Sequence, residues 1–407
     1  MRRNSLTMSL VAAAAITCSA VATSAPHTQY RVTILNPSGS GNSIDDLGFI
    51  AGSYTLADGI TVHAVVWAFG TTTDLGTLGA STLSSTVQWP AKNSLGLVSG
   101  LSLTNAPDPN KEGWSCGFFL PNPNLQQCLG FVWDPLTRHM RALQPLPGGI
   151  NSFATGTNDL GETVGWAENG VHDTSCIKPQ LLQFRPVVWG PGHEEVRELP
   201  ILERDSTDHA SGDTTGAATA LNDRGQIVGI SGACGNAVGS ISARHAVLWE
   251  NGRVMELRNP NGALYWNTPM MINQRGDVVG FAGVPGDPDG NYTPPFMWTV
   301  QQGWQWLPLP LISVAGGAPQ RDIAGVATSI NSRRQVVGYS NDAQAVPNFH
   351  AWIWQAGVTR NLNDLVEPGS QLKGSLKLAF DINDRGEITG TTTSGQAFLA
   401  IPLESGE

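Results

Sequence analysis

One phrase recurs along this chain and limits its fold more than any other feature: Ile/Leu-Asn-x-x-Gly-x-Val/Ile-Val-Gly. It is clearest as Leu221-Asn222-Asp223-Arg224-Gly225-Gln226-Ile227-Val228-Gly229, and it returns at Ile272–Gly280 and Ile382–Gly390. Looser copies bring the anchors to seven: Asp45, Asn93, Asn158, Asn222, Asn273, Asn331 and Asn383, spaced by 48, 65, 64, 51, 58 and 52 residues. A second phrase, His-Ala-apolar-apolar-Trp, follows at His63–Trp67, His245–Trp249 and His350–Trp354, with degenerate copies ending at Trp133, Trp189 and Trp298. An apolar run ending in Leu comes next, as in Thr73–Gly79.

The first phrase is turn chemistry. An Asn or Asp oxygen can accept from the backbone two residues on. The Gly three residues later supplies the positive φ of a bulged hairpin. Arg334 holds that place in the copy at Asn331, which predicts about 1 kcal/mol of strain or an altered turn. The second Gly, present in all seven copies, predicts a close approach by a neighbouring backbone or ring. Each unit then holds four short strands: a before the anchor, b through the Val-Val run, c ending at Trp, and d through the Leu-rich run. Seven four-stranded units read as an all-β, seven-bladed propeller. The last unit lacks a strand d, while Gln29–Leu35 is a surplus strand before the first unit. The N-terminal strand is therefore expected to complete the last blade, closing the ring and hiding its edges.

Composition agrees. The chain of 407 residues has 47 Gly and 26 Pro, and only 14% charged residues, which excludes disorder and long helical bundles. The net charge of −10 argues against nucleic acid as a partner. Residues 1–25 read as a cleaved secretory signal: Arg2 and Arg3, an apolar stretch from Met8 to Ala22, then Ala20-Val21-Ala22. Residues 26–407 are then one propeller domain, extracellular or periplasmic, with no membrane span expected. Export favours disulfides among the four remaining Cys. All four fall in loops of one face, and the expected pairs are Cys116–Cys128 and Cys176–Cys234. No C-x-x-C spacing occurs, so a zinc site is not expected.

The phrases Asn-Asp-Arg-Gly-Gln-Ile-Val-Gly (222–229), His-Ala-Val-Val-Trp (63–67) and Asp74-Leu75-Gly76-Thr77-Leu78-Gly79-Ala80 resemble the HAF-type extracellular repeat family of bacterial exported proteins. The resemblance spans roughly residues 29–403 and implies export. It carries no activity with it.

The a–b and c–d turns are short, whereas the b–c and d–a loops vary: 101–129, 166–184, 200–215 and 310–321. In an up-and-down blade the a–b and c–d turns lie on one face and the b–c and d–a loops on the other. Long loops on a rigid ring commonly bind, so the long-loop face is the expected ligand face. Its candidates are Glu203, Asp205, Asp208, His209, Asp213, Trp114 and Trp304. Asp287, Asp289 and Asn291 alternate oxygens as a Ca²⁺ loop does, but lack the rest of one and read as a turn. His63, His245 and His350 occupy equivalent strand-c places away from the axis, so they read as repeat structure. No G-x-S-x-G, H-E-x-x-H or Walker sequence occurs. The resulting expectation is an exported, non-catalytic binding module without a cofactor, its ligand a glycan, small molecule or protein. The alternative is a glycosidase or lyase with acids gathered at the channel mouth.

Overall fold

The computed structural model describes residues 28–403 other than 91–92, 113, 203–211, 236–238, 263, 314–315, 343, 345 and 371, and omits the side chains of residues 114–116. The expected signal, 1–25, lies outside the described residues.

The chain forms seven four-stranded antiparallel sheets in a ring, a β-propeller. Their first three strands follow the repeat directly. Blade 4, for example, is Thr215–Leu221, Ile227–Gly232, His245–Glu250 and Arg253–Glu256, with each strand paired to the next. Blade 1 spans Gly39–Gly76, blade 2 Ser85–Leu143, blade 3 Ser152–Glu198, blade 5 Thr268–Trp306 and blade 6 Ala324–Asn361. Blade 7 consists of Leu376–Ile382, Ile388–Thr392 and Ala397–Pro402, and Tyr30–Asn36 is its outer strand. Tyr30 pairs with Pro402 and Val32 with Ala400, so the chain's first strand closes its last sheet as expected. The seam between blades 7 and 1 is then sealed by Asp381, whose carboxylate accepts from the Ile44 amide at 2.8 Å.

The two glycines of the repeat do different work. All seven residues at the first position have positive φ, Arg334 among them at +59°. Arg334 keeps the turn and offsets its strain by a bidentate pair with Asp277 of blade 5, at 2.8 and 2.9 Å. The second glycine faces a β-bulge in strand a. A Cβ at Gly52, Gly229, Gly338 or Gly390 would collide both with a strand-a carbonyl and with an aromatic ring of strand c. Both approaches anticipated from sequence are therefore present, backbone on one side and ring on the other.

Apolar side chains from adjacent blades meet in continuous layers. Val164 and Val188 of blade 3, for instance, pack with Ala218, Leu221, Val247 and Trp249 of blade 4. Of the repeat Trp residues, five are buried and Trp298 is half-buried. Burial of this size, roughly 25 cal/mol per Å² of apolar surface, is what holds neighbouring blades together.

Two expectations about loops need correction. The b–c connections of blades 2 and 3 were expected to start at residues 101 and 166. Strands b and c instead run on as ribbons, to Pro107 and from Gln126 in blade 2, and to His172 and from Leu182 in blade 3. The turn signals bound the blade, but backbone pairing continues past it, with a register shift, to Pro107–Gln126 and His172–Leu182. The connection after blade 5 likewise carries a small hairpin, Leu311–Ile312 with Gln320–Arg321.

Cys176 and Cys234 form the expected disulfide between the long-loop sides of blades 3 and 4. Cys128 is also disulfide-bonded. The side chain of its expected partner, Cys116, lies outside the described residues.

Candidate functional site

The Asn of the repeat performs two tasks. Its Oδ1 accepts from the amides two and four residues on, as Asn222 does from Arg224 and Gln226, both at 3.1 Å. That is the turn chemistry read from the sequence. Its Nδ2 reaches into the next blade and donates to the backbone carbonyl of the next anchor. Asn158 bonds Asn222 in this way, Asn222 bonds Asn273 (3.0 Å), Asn273 bonds Asn331 (3.1 Å), Asn331 bonds Asn383 (3.0 Å), and Asn383 bonds Asp45 (2.9 Å). A ring of side-chain staples therefore runs round the axis on the short-turn face. Blade 1 breaks it, because Asp45 has no donor. In blade 2 the Asn93 amide turns back to the Leu97 carbonyl.

The residue after each anchor builds a second ring inside the first. Its members are Asp46, Ser94, Asp159, Asp223, Gln274, Ser332 and Asp384. The Ser94 amide donates to Asp159, the Asp159 amide to Asp223 (2.8 Å), the Asp223 amide to Gln274 (3.2 Å), the Ser332 amide to Asp384 (2.7 Å) and the Asp384 amide to Asp46 (2.7 Å). Each acidic side chain is thus aimed by the preceding blade's backbone.

These rings enclose a cavity of about 160 Å³. All seven second-ring residues line it, with Ile44, Ile272 and Ile330 supplying apolar wall. Five carboxylates, those of Asp45, Asp46, Asp159, Asp223 and Asp384, and no cationic side chain are among its lining residues. Burial raises the Asp223 carboxyl above its ordinary value, and the Asp159 charge adds to the rise. Around the cavity, the next repeat position divides the face. Leu47, Leu95 and Leu160 are exposed over blades 1 to 3, and Arg224, Arg275, Arg333 and Arg385 are exposed over blades 4 to 7.

The residues singled out from sequence lie elsewhere. Glu203, Asp205, Asp208 and His209 fall outside the described residues, as does the side chain of Trp114. The Asp213 side chain is 5% exposed and accepts from Ser231 Oγ at 2.6 Å, with His245 3.8 Å away. Trp304 sits within strand d of blade 5, its ring stacked on Phe296 at 3.8 Å, so it packs the blade. Asp287 accepts from the Tyr292 amide at 2.7 Å and caps its own turn. Among the described residues no group of His, Cys, Asp or Glu is arranged to hold a metal ion.

The strand-c histidines pair with nearby carboxylates: His63 with Asp74 and His245 with Glu256 in their own blades, and His350 with Asp322 just ahead of blade 6. Ser340 donates to the same Asp322 carboxylate at 2.6 Å. The hydroxyl meets the carboxylate and not the imidazole, which is the wrong order for an activated nucleophile.

A buried acidic group on the long-loop side was not legible in the sequence. Glu112 in the blade 2 loop and Glu168 of blade 3 both accept from the Gln180 amide, at 3.5 and 3.0 Å, and Asp108 joins them through Asn151. Burial, and then the Glu112 charge, push Glu168 up to about 7. The Asp322 hydrogen bond raises His350 as well. Both groups hold protons more tightly folded than unfolded. Their stabilising contributions are complete below the ordinary values, 4.5 for Glu and 6.5 for His. They are lost as pH rises through about 7 for Glu168 and through the raised value for His350. The thermal midpoint is therefore expected to be lower at about pH 8.5 than at about pH 5.5. Glu112→Gln, which removes the charge beside Glu168, should flatten that slope. A midpoint constant across the window in the unmodified protein would refute the assignment.

No protein-family model and no curated protein matches this chain. Among solved structures it is similar to the β-propeller domain of the Trilobed protease from Pyrococcus furiosus, with 9% identity over 93% of this chain and 96% of that one, at TM-score 0.45. It is also similar to an oligogalacturonate lyase in complex with manganese (11% identity, 93% and 96% covered, TM-score 0.48). A third similar structure is TolB from Acinetobacter baumannii (11% identity, TM-score 0.42). That likeness covers 88% of this chain and 65% of TolB, so the chain spans about two thirds of TolB's length. At these identities the likeness is one of fold.

Proposed function

We propose that this propeller is a binding module whose ligand, or the tip of a larger partner, enters the axial cavity of the short-turn face. The observation that carries this reading is convergence. Seven chain-distant turns each contribute the residue after the anchor to one rim, and amides of neighbouring blades hold the side chains of Asp46, Asp159, Asp223, Gln274 and Asp384 in place. Preorganised polar groups over an apolar wall suit selective binding.

Binding is favoured over catalysis by the partners of the carboxylates. Asp46, Asp159, Asp223 and Asp384 are held by backbone amides. Each of these carboxylates is engaged by the backbone of the preceding blade, whereas glycoside hydrolysis needs a pair free to reach the scissile bond. The disulfide and the signal-like N-terminus support action outside the cytoplasm. No helix among the described residues is long and apolar enough to cross a membrane.

The test compares two variants in a thermal-shift screen of small molecules, glycans and peptides. Ser332→Trp fills the axial mouth. Replacing residues 203–211 with a Gly-Ser linker removes the acidic long-loop candidates Glu203, Asp205, Asp208 and His209. A ligand at a hundred times its dissociation constant should stabilise the native protein by about 2.7 kcal/mol. That shift should vanish in Ser332→Trp and survive in the linker variant. The opposite pattern would move the ligand to the long-loop face.

A further inference from the structure

Blade 1 departs from the repeat at the edge of the axial cavity. Asp45 replaces the anchor Asn, and its Oδ1 keeps the turn by accepting from Leu47 and Phe49 at 2.9 and 2.8 Å. Its Oδ2 therefore holds the place from which Nδ2 staples the next blade elsewhere in the ring. That oxygen is buried and has no hydrogen-bond partner, in a residue only 8% exposed. The carbonyl of Asn93, the next anchor, correspondingly lacks the staple that its counterparts in blades 4 to 7 and blade 1 receive. Asp45 and Asn93 both line the axial cavity, beside Asp46 and Ser94.

Two neighbouring acceptors, one anionic, with no donor to them among the described residues, are unfavourable in a buried seam unless a donor or a cation arrives. Asp46 beside them adds a further acceptor. We infer that the blade 1–blade 2 side of the axial cavity takes an organic ammonium group, with Asp45 Oδ2 and the Asn93 carbonyl as its acceptors and Asp46 as a second negative charge.

The surroundings favour an ammonium on an apolar stem over a bare ion. Leu47 and Leu95 are exposed at the tips of these two turns, and Ile44 lines the wall behind them. The four exposed Arg side chains stand over the other blades, so a cation is steered toward the Leu side. This inference rests on the axial cavity being the binding site, and it names the chemistry that site selects.

The probe is butylammonium, titrated calorimetrically at low salt, with potassium and butanol as comparisons. The proteins are the unmodified chain, Asp45→Asn and Lys92→Ala. Asp45→Asn is nearly isosteric and restores the staple donor, so it should fold with an unchanged or higher thermal midpoint. It should also lose affinity for butylammonium by about tenfold or more, as when one partner of a buried charged contact is removed. Lys92 precedes Asn93 and lies outside the described residues. Lys92→Ala should bind at least as tightly as the parent, since it alters no acceptor of the proposed site. Butylammonium binding unaffected by Asp45→Asn would overturn the assignment, as would no binding by either the parent or Lys92→Ala. Potassium binding as tightly as butylammonium would overturn the role of the apolar stem. If the screen above instead yields neutral or anionic ligands abolished by Ser332→Trp, the ammonium assignment fails and the axial reading stands.

Discussion

A chain that starts at residue 37 of this sequence is expected to lose its folded monomer. Removing Tyr30–Asn36 deletes the outer strand of blade 7 and exposes Ala397–Pro402 as an open edge. Tyr30 and Val32 are buried among Leu362, Leu365, Leu376 and Ala400. Two such side chains contribute roughly 1.5–3 kcal/mol each. The strand also docks a neighbouring segment, since the Glu367 amide donates to the Tyr30 carbonyl and the Leu403 amide to Gln29. Together these exceed about 5 kcal/mol, a large share of a typical domain's stability. The expected result is an oligomeric or insoluble product by size-exclusion chromatography, with no cooperative melt. A synthetic peptide covering residues 28–37, added during refolding, should restore the monomer by strand addition. A truncated monomer melting within a few degrees of the parent would show that the ring does not depend on this closure.

The second large effect is expected at Asn222, which is 1% exposed. Asn222→Ala removes acceptors for the Arg224 and Gln226 amides and donors to the Asn273 carbonyl and Gln226 Oε1. Leaving several buried polar groups unpaired should cost about 3 kcal/mol, measured by chemical denaturation. Asn222→Asp separates the two tasks, because it keeps the turn acceptor and loses the staple. It should cost less than Ala, about 1–2 kcal/mol, and its cost should grow as the carboxylate ionises against the Asn273 carbonyl. Blade 1 shows that such a turn can exist, since Asp45 makes it with both amides in place. If Ala and Asp cost the same, the staple accounts for the stability and the turn hydrogen bonds contribute little.

Much of the fold was legible because its causes are local. Asn or Asp at the anchor, a positive φ three residues on, and a Gly opposite a bulged strand all act within a dozen residues. The surplus first strand and deficient last unit were legible by counting. The ribbons past Pro107 and His172 were not, since pairing beyond the repeat depends on two strands staying together without a turn signal to end them. The second role of Asn was also hidden. The same residue type satisfies a turn whether or not its Nδ2 reaches another blade, and the partner carbonyls lie 51 to 64 residues away among blades 3 to 7. The Glu112–Glu168 contact joins two loops with no shared pattern.

The site shows the division most clearly. By itself the sequence determined the repeat, the four-stranded blade, the closure of the ring and the Cys176–Cys234 bridge, because each follows from neighbours in the chain or from a count. It directed attention to the long loops, because loop length is visible in a sequence and convergence is not. Only the tertiary structure decided that Asp46, Ser94, Asp159, Asp223, Gln274, Ser332 and Asp384 meet around one axis. Singly each is an ordinary turn residue. Closing seven blades into a ring brings their turns to a common centre, where carboxylates that would be solvated one by one share a single cavity.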